Sequence, residues 1–262
     1  MNEPLIIAHR GASYEAPENT LAAFALAWAQ DADGFECDVW LTGDGHVVCL
    51  HDADTGRVGN AGGDKGSGLP VMETTFADLQ AVDVGRWKDE RFAGQTPPLL
   101  REVLKLVGPR QRVFVEIKSK DGSGILAAPA VVAVIDESGL PPEQITIISF
   151  DADVVAWVKE QRPAWTVNWL TSFRRHAGVG RWSPSIDEVL RTLRETGADG
   201  LGCKAVFSQV TRSFVARLRE QGYGFHLWTI NEPDVARRAV ELAVDSITTD
   251  RPAYIRQSLS GE

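Results

Sequence analysis

Two short runs of this chain carry carboxylates where an apolar strand is expected. They are Phe35-Glu36-Cys37-Asp38-Val39 and Val113-Phe114-Val115-Glu116-Ile117-Lys118. Side chains alternate along a strand, so Glu36 and Asp38 share one face of the first run, and Glu116 and Lys118 share one face of the second. If those faces turn inward, three carboxylates and one ammonium converge. Such a cluster must either protonate in part or hold a cation. Oxygen-only ligands favour a hard divalent ion, Mg2+ or Ca2+ with Mn2+ also compatible, over zinc. The alternative is an outward face on which these groups form ion pairs with helix residues, since buried charges need partners.

Two histidines sit where strands end, His9 after Leu5 to Ala8 and His51 after Val47 to Leu50. A lone histidine in such a place is more often a hydrogen-bonded structural residue. Two beside a carboxylate cluster point instead to acid and base catalysis, because imidazole titrates near pH 6.5. Arg10 precedes Gly11, which lets the backbone turn tightly, and a guanidinium there suits a phosphate or carboxylate. A salt bridge from Arg10 to Glu15 or Glu18 fits the spacing equally well. Trp228, near the end of a strand, could wall a pocket. His226 reads as a core or supporting residue, and His46 and His176 as surface positions. The stretch from Gly59 to Gly68 lacks the spacing of a phosphate-binding loop and reads as a flexible connection.

The elements that would position these groups alternate strand and helix through most of the 262 residues. The pattern predicts a strand at Leu5 to Ala8, then an amphipathic helix over Pro17 to Gln30. A strand at Phe35 to Leu41 follows, with a hairpin return at Val47 to His51. Residues 52–98 break the rhythm and read as an irregular insertion with one short helix starting at Thr75. The beat resumes with a helix at Leu99 to Leu106 and continues to Ser258, giving about eight β/α units. Eight is the number that closes a barrel. The expected fold is therefore a single α/β domain over residues 1–262, a (β/α)8 TIM barrel with a small insertion after the second strand. A doubly wound open sheet is the alternative. In a barrel both histidines would overlook the carboxylates from the C-terminal strand ends.

A net charge of -9 with no local cluster of Lys and Arg argues against a nucleic-acid partner. No apolar run reaches the roughly 18 residues that span a bilayer, and the start Met1-Asn2-Glu3-Pro4 lacks the basic residues of a signal peptide, so a cytoplasmic protein is expected. Cys37, Cys49 and Cys203 show no metal-site spacing and read as buried thiols. Oligomeric state is not legible.

In order along the chain, His9-Arg10-Gly11, Pro17-Glu18-Asn19-Thr20, Glu36-x-Asp38-Val39, His51-Asp52, Glu116-Ile117-Lys118, Ser149-Phe150, Trp228-Thr229-Ile230-Asn231 and Thr249-Asp250-x-Pro252 resemble the glycerophosphodiester phosphodiesterase family. That resemblance implies a metal-dependent (β/α)8 barrel that hydrolyses glycerophosphodiesters to glycerol 3-phosphate and an alcohol. It implies that Glu36, Asp38 and Glu116 hold one divalent cation and that His9 and His51 form the acid/base pair. Arg10 and Lys118 would grip the phosphate, and Trp228 would line the glycerol end. The chain departs from the family after His51-Asp52, where it reads Ala53-Asp54-Thr55-Gly56-Arg57. A lysophospholipid-cleaving relative would need an apolar rim, which Val58, Leu69, Val71, Met72 and Trp87 could form, although local packing of these residues fits equally well. Other classes remain open: a barrel aldolase using Lys118 as a Schiff-base amine, and a non-catalytic glycerophosphate-binding barrel.

Overall fold

The computed structural model describes residues 3–59, 68–176 and 182–260. Its strands in chain order are β1 (Leu5–His9), β2 (Gly34–Leu41), β3 (Val47–Cys49), β4 (Arg112–Ile117), β5 (Ile145–Ser149), β6 (Thr166–Thr171), β7 (Arg174–Arg175), β8 (Trp182–Ser183), β9 (Gly200–Lys204), β10 (Gly224–Trp228) and β11 (Ser246–Thr249). Eight of these form a parallel ring in the order β1-β11-β10-β9-β6-β5-β4-β2, closed by pairing of β1 with β2. The barrel expected from the sequence is present. β3 lies outside the ring, antiparallel to the outer end of β2, as the hairpin reading required. β7 and β8 form a separate two-residue pairing that is too short to leave a periodic signal.

The helices are α1 (Leu21–Ala29), α2 (Phe76–Leu79), α3 (Leu100–Leu104), α4 (Gly124–Ser138), α5 (Ala152–Gln161), α6 (Ile186–Thr196), α7 (Arg212–Arg219), α8 (Pro233–Glu241) and α9 (Pro252–Ser260). None of the described helices is long and apolar enough to cross a membrane. The insertion holds the short helix at Thr75, whose hydroxyl caps α2 by accepting from the Asp78 backbone N–H.

Alternation along the ring strands divides two environments. Phe35, Cys37, Val39, Val115 and Ile117 face outward into the core beneath the helices. Ile7, Phe114, Ile148 and Leu170 fill the barrel interior. The outer core fixes α1 against the strands that matter most. Phe24 of α1 and Phe35 of β2 are buried with ring centroids 4.6 Å apart. Burying each such side chain is worth roughly 2–3 kcal/mol. Because Phe35 points out, Glu36 and Asp38 must point in. All three cysteines are buried and free.

One expectation needs correction and one open alternative is resolved. The first helix begins at Leu21 rather than Pro17, because Thr20 caps it by accepting from the Ala23 N–H and Asn19 adopts a left-handed φ of 55°. Pro17 to Thr20 is instead a turn that directs Glu18 and Asn19 toward the barrel mouth. Val58, Val71, Met72 and Trp87 do not form an apolar rim. They pack with Trp40, Val48 and Leu50 into a second small core outside the ring, leaving Leu69 40% exposed. Of the glycine-rich stretch, residues 60–67 lie outside the described residues.

Candidate active site

Strand register brings the sequence candidates together. Closure of the ring sets His9 of β1 opposite Glu36 of β2, and the next pairing sets Asp38 of β2 opposite Glu116 of β4. Glu36, Asp38 and Glu116 are all buried, and each offers an oxygen within 4.8 Å of the others. Lys118, one residue past β4, donates to Glu116 Oε1 at 2.7 Å and pairs with Asp38 Oδ1 at 3.2 Å. The inward reading therefore holds over the outward ion pairs. An open cavity of about 560 Å³ covers the cluster, with His9, Arg10, His51 and Lys118 on its polar side. Ile148, Phe150, Leu170 and Trp228 form its apolar side. Phe150 meets Trp228 edge to face with centroids 5.6 Å apart.

The turn after β1 is built for close approach. Arg10 has a φ of 56° and Gly11 a φ of 80°. A Cβ on Gly11 would stand 2.5 Å from the Ala23 carbonyl carbon, so only glycine fits. The left-handed Arg10 costs on the order of 1–2 kcal/mol. In return its backbone N–H donates to Glu36 Oε2 at 2.9 Å, while its side chain reaches Glu18 at 2.9 Å and Asp38 at 3.1 Å. Of the two salt-bridge partners expected for Arg10, Glu18 is the one found, and the same guanidinium still lines the cavity. Asn19 donates to Asp38 Oδ2 at 2.8 Å and accepts from the Asp38 N–H.

The three carboxylates are not equivalent. Burial alone would raise Asp38, but Lys118 and Arg10 outweigh it and hold Asp38 well below the usual carboxylate range. Burial, with Asp38 and Glu116 nearby, pushes Glu36 well above its ordinary value. Burial also pushes Glu116 up to about 7, with Asp38 adding to the effect and Lys118 opposing it. Glu36 Oε1 is buried and has no hydrogen-bond partner among the described residues. An orphaned carboxylate oxygen of this kind marks a place for a cation or proton. Arg10, Arg57 and Lys118 pair through their side chains with Glu18, Asp38, Asp52 and Glu116, whereas Glu36 accepts from the Arg10 backbone N–H. The donor set thus fits one hard divalent ion.

Lys118 does not suit a Schiff base. Despite burial, Asp38 and Glu116 hold its ammonium well above the ordinary lysine range, whereas an amine nucleophile must be neutral.

Each histidine is anchored through Nδ1 by a carboxylate whose role the sequence reading did not assign. His9 Nδ1 donates to Asp250 Oδ1 at 2.6 Å, and His51 Nδ1 to Asp52 Oδ1 at 3.0 Å. With Nδ1 so engaged, Nε2 is the nitrogen by which each ring can act in the cavity that both line. Asp250 also accepts from Ser13 Oγ at 3.0 Å and Asn231 Nδ2 at 2.6 Å. Burial would raise Asp250, but the bonds from His9, Asn231 and Ser13 prevail and hold it at about 2. Burial, followed by Lys118 and Arg10, lowers His51 despite the carboxylates beside it. His226 lies away from this cavity and bonds Ser246 Oγ at 2.8 Å inside the barrel.

Asp250 carries a stability prediction. Its folded value of about 2 lies below the ordinary ~3.9, so its contribution is fully present above about pH 4 and is lost as pH falls through about 2. The gap in unfolding free energy between wild type and Asp250→Asn should narrow by about 2 kcal/mol between pH 6 and pH 2.5. Denaturant titration at both pH values measures it, and a constant gap contradicts the assignment.

Comparison with known proteins agrees with this geometry. A profile described as the glycerophosphoryl diester phosphodiesterase family matches residues 9–254. The glycerophosphodiester phosphodiesterase of Caldanaerobacter subterraneus subsp. tengcongensis is 31% identical over 253 residues, covering 95% of this chain and 94% of the relative. That of Bacillus altitudinis is 29% identical, covering 94% of each. Among solved structures, a phosphodiesterase of Oleispira antarctica in complex with its product sn-glycerol-3-phosphate superposes with a TM-score of 0.84. It is 26% identical and covers 98% of this chain and 97% of its own.

Proposed function

The chain belongs to the glycerophosphoryl diester phosphodiesterase family and is a glycerophosphodiester phosphodiesterase, and we propose that it works through a cation-binding carboxylate triad and two histidines. The proposed products are sn-glycerol 3-phosphate and an alcohol, the former being the ligand of the Oleispira relative. One observation carries this reading. Glu36, Asp38 and Glu116 converge within 4.8 Å between two carboxylate-anchored imidazoles.

A phosphodiester is an anion, and its hydrolysis builds charge on the nonbridging oxygens. A divalent cation on Glu36, Asp38 and Glu116 supplies Lewis-acid neutralisation of that charge when bound. Arg10 and Lys118 grip the phosphate from the same side of the cavity. The apolar wall of Ile148, Leu170 and Trp228 takes the glycerol carbons, which leaves the alcohol toward the insertion. His51, lowered by burial and by Lys118 and Arg10, is neutral at pH 7 and takes the proton of the attacking hydroxyl at Nε2. His9, oriented through Nδ1 by Asp250, gives its Nε2 proton to the departing alkoxide as the phosphorus–oxygen bond breaks. A cyclic glycerol phosphate trapped during turnover would identify the attacking hydroxyl as glycerol's own; product oxygen drawn from solvent without such an intermediate would identify water.

The function is tested by a coupled assay of glycerol 3-phosphate release from glycerophosphocholine, glycerophosphoethanolamine and lysophosphatidylcholine, with and without Mg2+ and Ca2+. Cation-dependent release from the first two is expected. No release from any glycerophosphodiester in the presence of either ion contradicts the reading.

Because Glu116 sits at about 7 and Glu36 well above its ordinary value, cation binding must displace protons from them. The dissociation constant should therefore fall as pH rises from 6 to 8. Calorimetry in two buffers of different ionisation enthalpy measures the protons released. A pH-independent affinity with no proton release would show that these carboxylates are not the ligands. Buried free thiols at Cys37, Cys49 and Cys203 support a reducing compartment such as the cytoplasm.

A further inference from the structure

We infer that Arg57, in the loop that follows His51, is a positioning residue that holds the acid/base side and the phosphate-gripping side of the site in one arrangement. Each of its three guanidinium nitrogens donates a hydrogen bond. Nε donates to Asp52 Oδ2 at 2.5 Å, and the two terminal nitrogens donate to the two oxygens of Glu18 at 2.9 and 2.6 Å. Each of those carboxylates turns its other contact toward a residue that lines the cavity. Asp52 Oδ1 accepts from His51 Nδ1 at 3.0 Å, and Glu18 Oε1 accepts from Arg10 at 2.9 Å. Arg10 continues to Asp38 at 3.1 Å. The result is one ionic chain running His51, Asp52, Arg57, Glu18, Arg10, Asp38, drawn from the turn after β1, from β2 and from the insertion. Arg57 is the member of that chain that joins its two arms.

The geometry demands arginine. A planar fork can serve two carboxylates at once and hold both in fixed orientation, which a lysine ammonium cannot do with the same angles. Asp52 and Glu18 are only 18% and 13% exposed at their side chains, and without Arg57 they lose the cation between them. Asp52 is then left without a permanent cation and Glu18 with Arg10 alone, and carboxylates so shielded from water repel, rotate or protonate. His51 then loses the acceptor that fixes the proton on Nδ1, and Arg10 loses a carboxylate that is itself held in place. The segment in which the chain departs from its family's pattern is thereby tied to the machinery rather than only bordering it.

The inference rests on the functional reading above, so its test has one readout that does not require turnover. In the metal-free chain, 15N shifts of His51 report which ring nitrogen carries the proton. The wild type should show the Nδ1–H form, and Arg57→Gln a mixture of both forms. With glycerophosphocholine and Mg2+, Arg57→Gln should lower kcat about 10- to 100-fold and raise KM several-fold, with cation affinity unchanged. Asp52→Asn should reproduce mainly the kcat loss and Glu18→Gln mainly the KM rise. Arg57→Lys should recover part of each. Wild-type kcat and KM together with an unchanged His51 tautomer in Arg57→Gln overturn the inference. If Arg57→Gln does not fold, Arg57→Lys decides. Intermediate kinetics with a mixed tautomer support the role, and wild-type values in both measurements remove it. Absence of activity in the wild type itself would fault the functional reading while the tautomer measurement still judges Arg57.

Discussion

Alanine at either His9 or His51 lowers kcat by about 100-fold or more while cation binding is largely kept. The expectation follows from what each ring does and does not touch. Both line the cavity, and both have Nδ1 committed to a carboxylate, Asp250 for His9 and Asp52 for His51. Neither is among the oxygens that would hold the ion, so removing an imidazole removes a proton-transfer group without dismantling the triad. The two variants should differ in pH dependence. Burial, together with Lys118 and Arg10, lowers His51, so the acidic limb of kcat/KM in wild type should fall below the ordinary ~6.5 of histidine. That limb should vanish in His51→Ala and persist in His9→Ala. Steady-state kinetics from pH 5 to 9 measure both effects. Near-normal turnover in either variant removes that histidine from the mechanism.

The second large effect belongs to the triad. Alanine at Glu36, Asp38 or Glu116, or dialysis of the wild type against excess EDTA, should reduce activity by about 1000-fold, the equivalent of several kcal/mol of transition-state charge stabilisation. Added Mg2+ or Ca2+ should restore the dialysed wild type. Higher cation concentrations should partly restore Glu36→Ala and Glu116→Ala, which lose one ligand each. Asp38→Ala should recover least, because Asp38 also pairs with Lys118 and Arg10 and bonds Asn19. Its loss removes one of the two carboxylates that hold each phosphate-gripping cation. Full activity in excess EDTA after dialysis would contradict a metal site.

The triad was legible in the sequence because strand alternation alone places Glu36 with Asp38, and Glu116 with Lys118, whatever the exact ends of the strands. The barrel was legible for a similar reason, since the strand–helix rhythm survives errors of a few residues at each boundary. Contacts that depend on ring closure were not. Asp250 stands 241 residues from His9, and only pairing of β1 with β11 makes them neighbours. Its motif was visible without its partner. The sequence pattern places Glu18 and Asn19 inside a helix, because Pro17 is a good first-turn residue and the Thr20 cap competes for the same start. Arg57 was visible only as part of a departure from the family pattern, since its contacts are decided by the path of a loop. The apolar residues of the insertion carried no direction of their own. Their burial against the β2–β3 hairpin turns a possible substrate rim into a local core.

The most direct test of the carboxylate triad as a cation site is anomalous diffraction from crystals grown with Mn2+ and sn-glycerol 3-phosphate. The expected result is one strong peak about 2.0–2.6 Å from an oxygen of each of Glu36, Asp38 and Glu116, with the phosphate beside it. An ion bound elsewhere, or phosphate bound in the cavity with no peak among these three side chains, would contradict it.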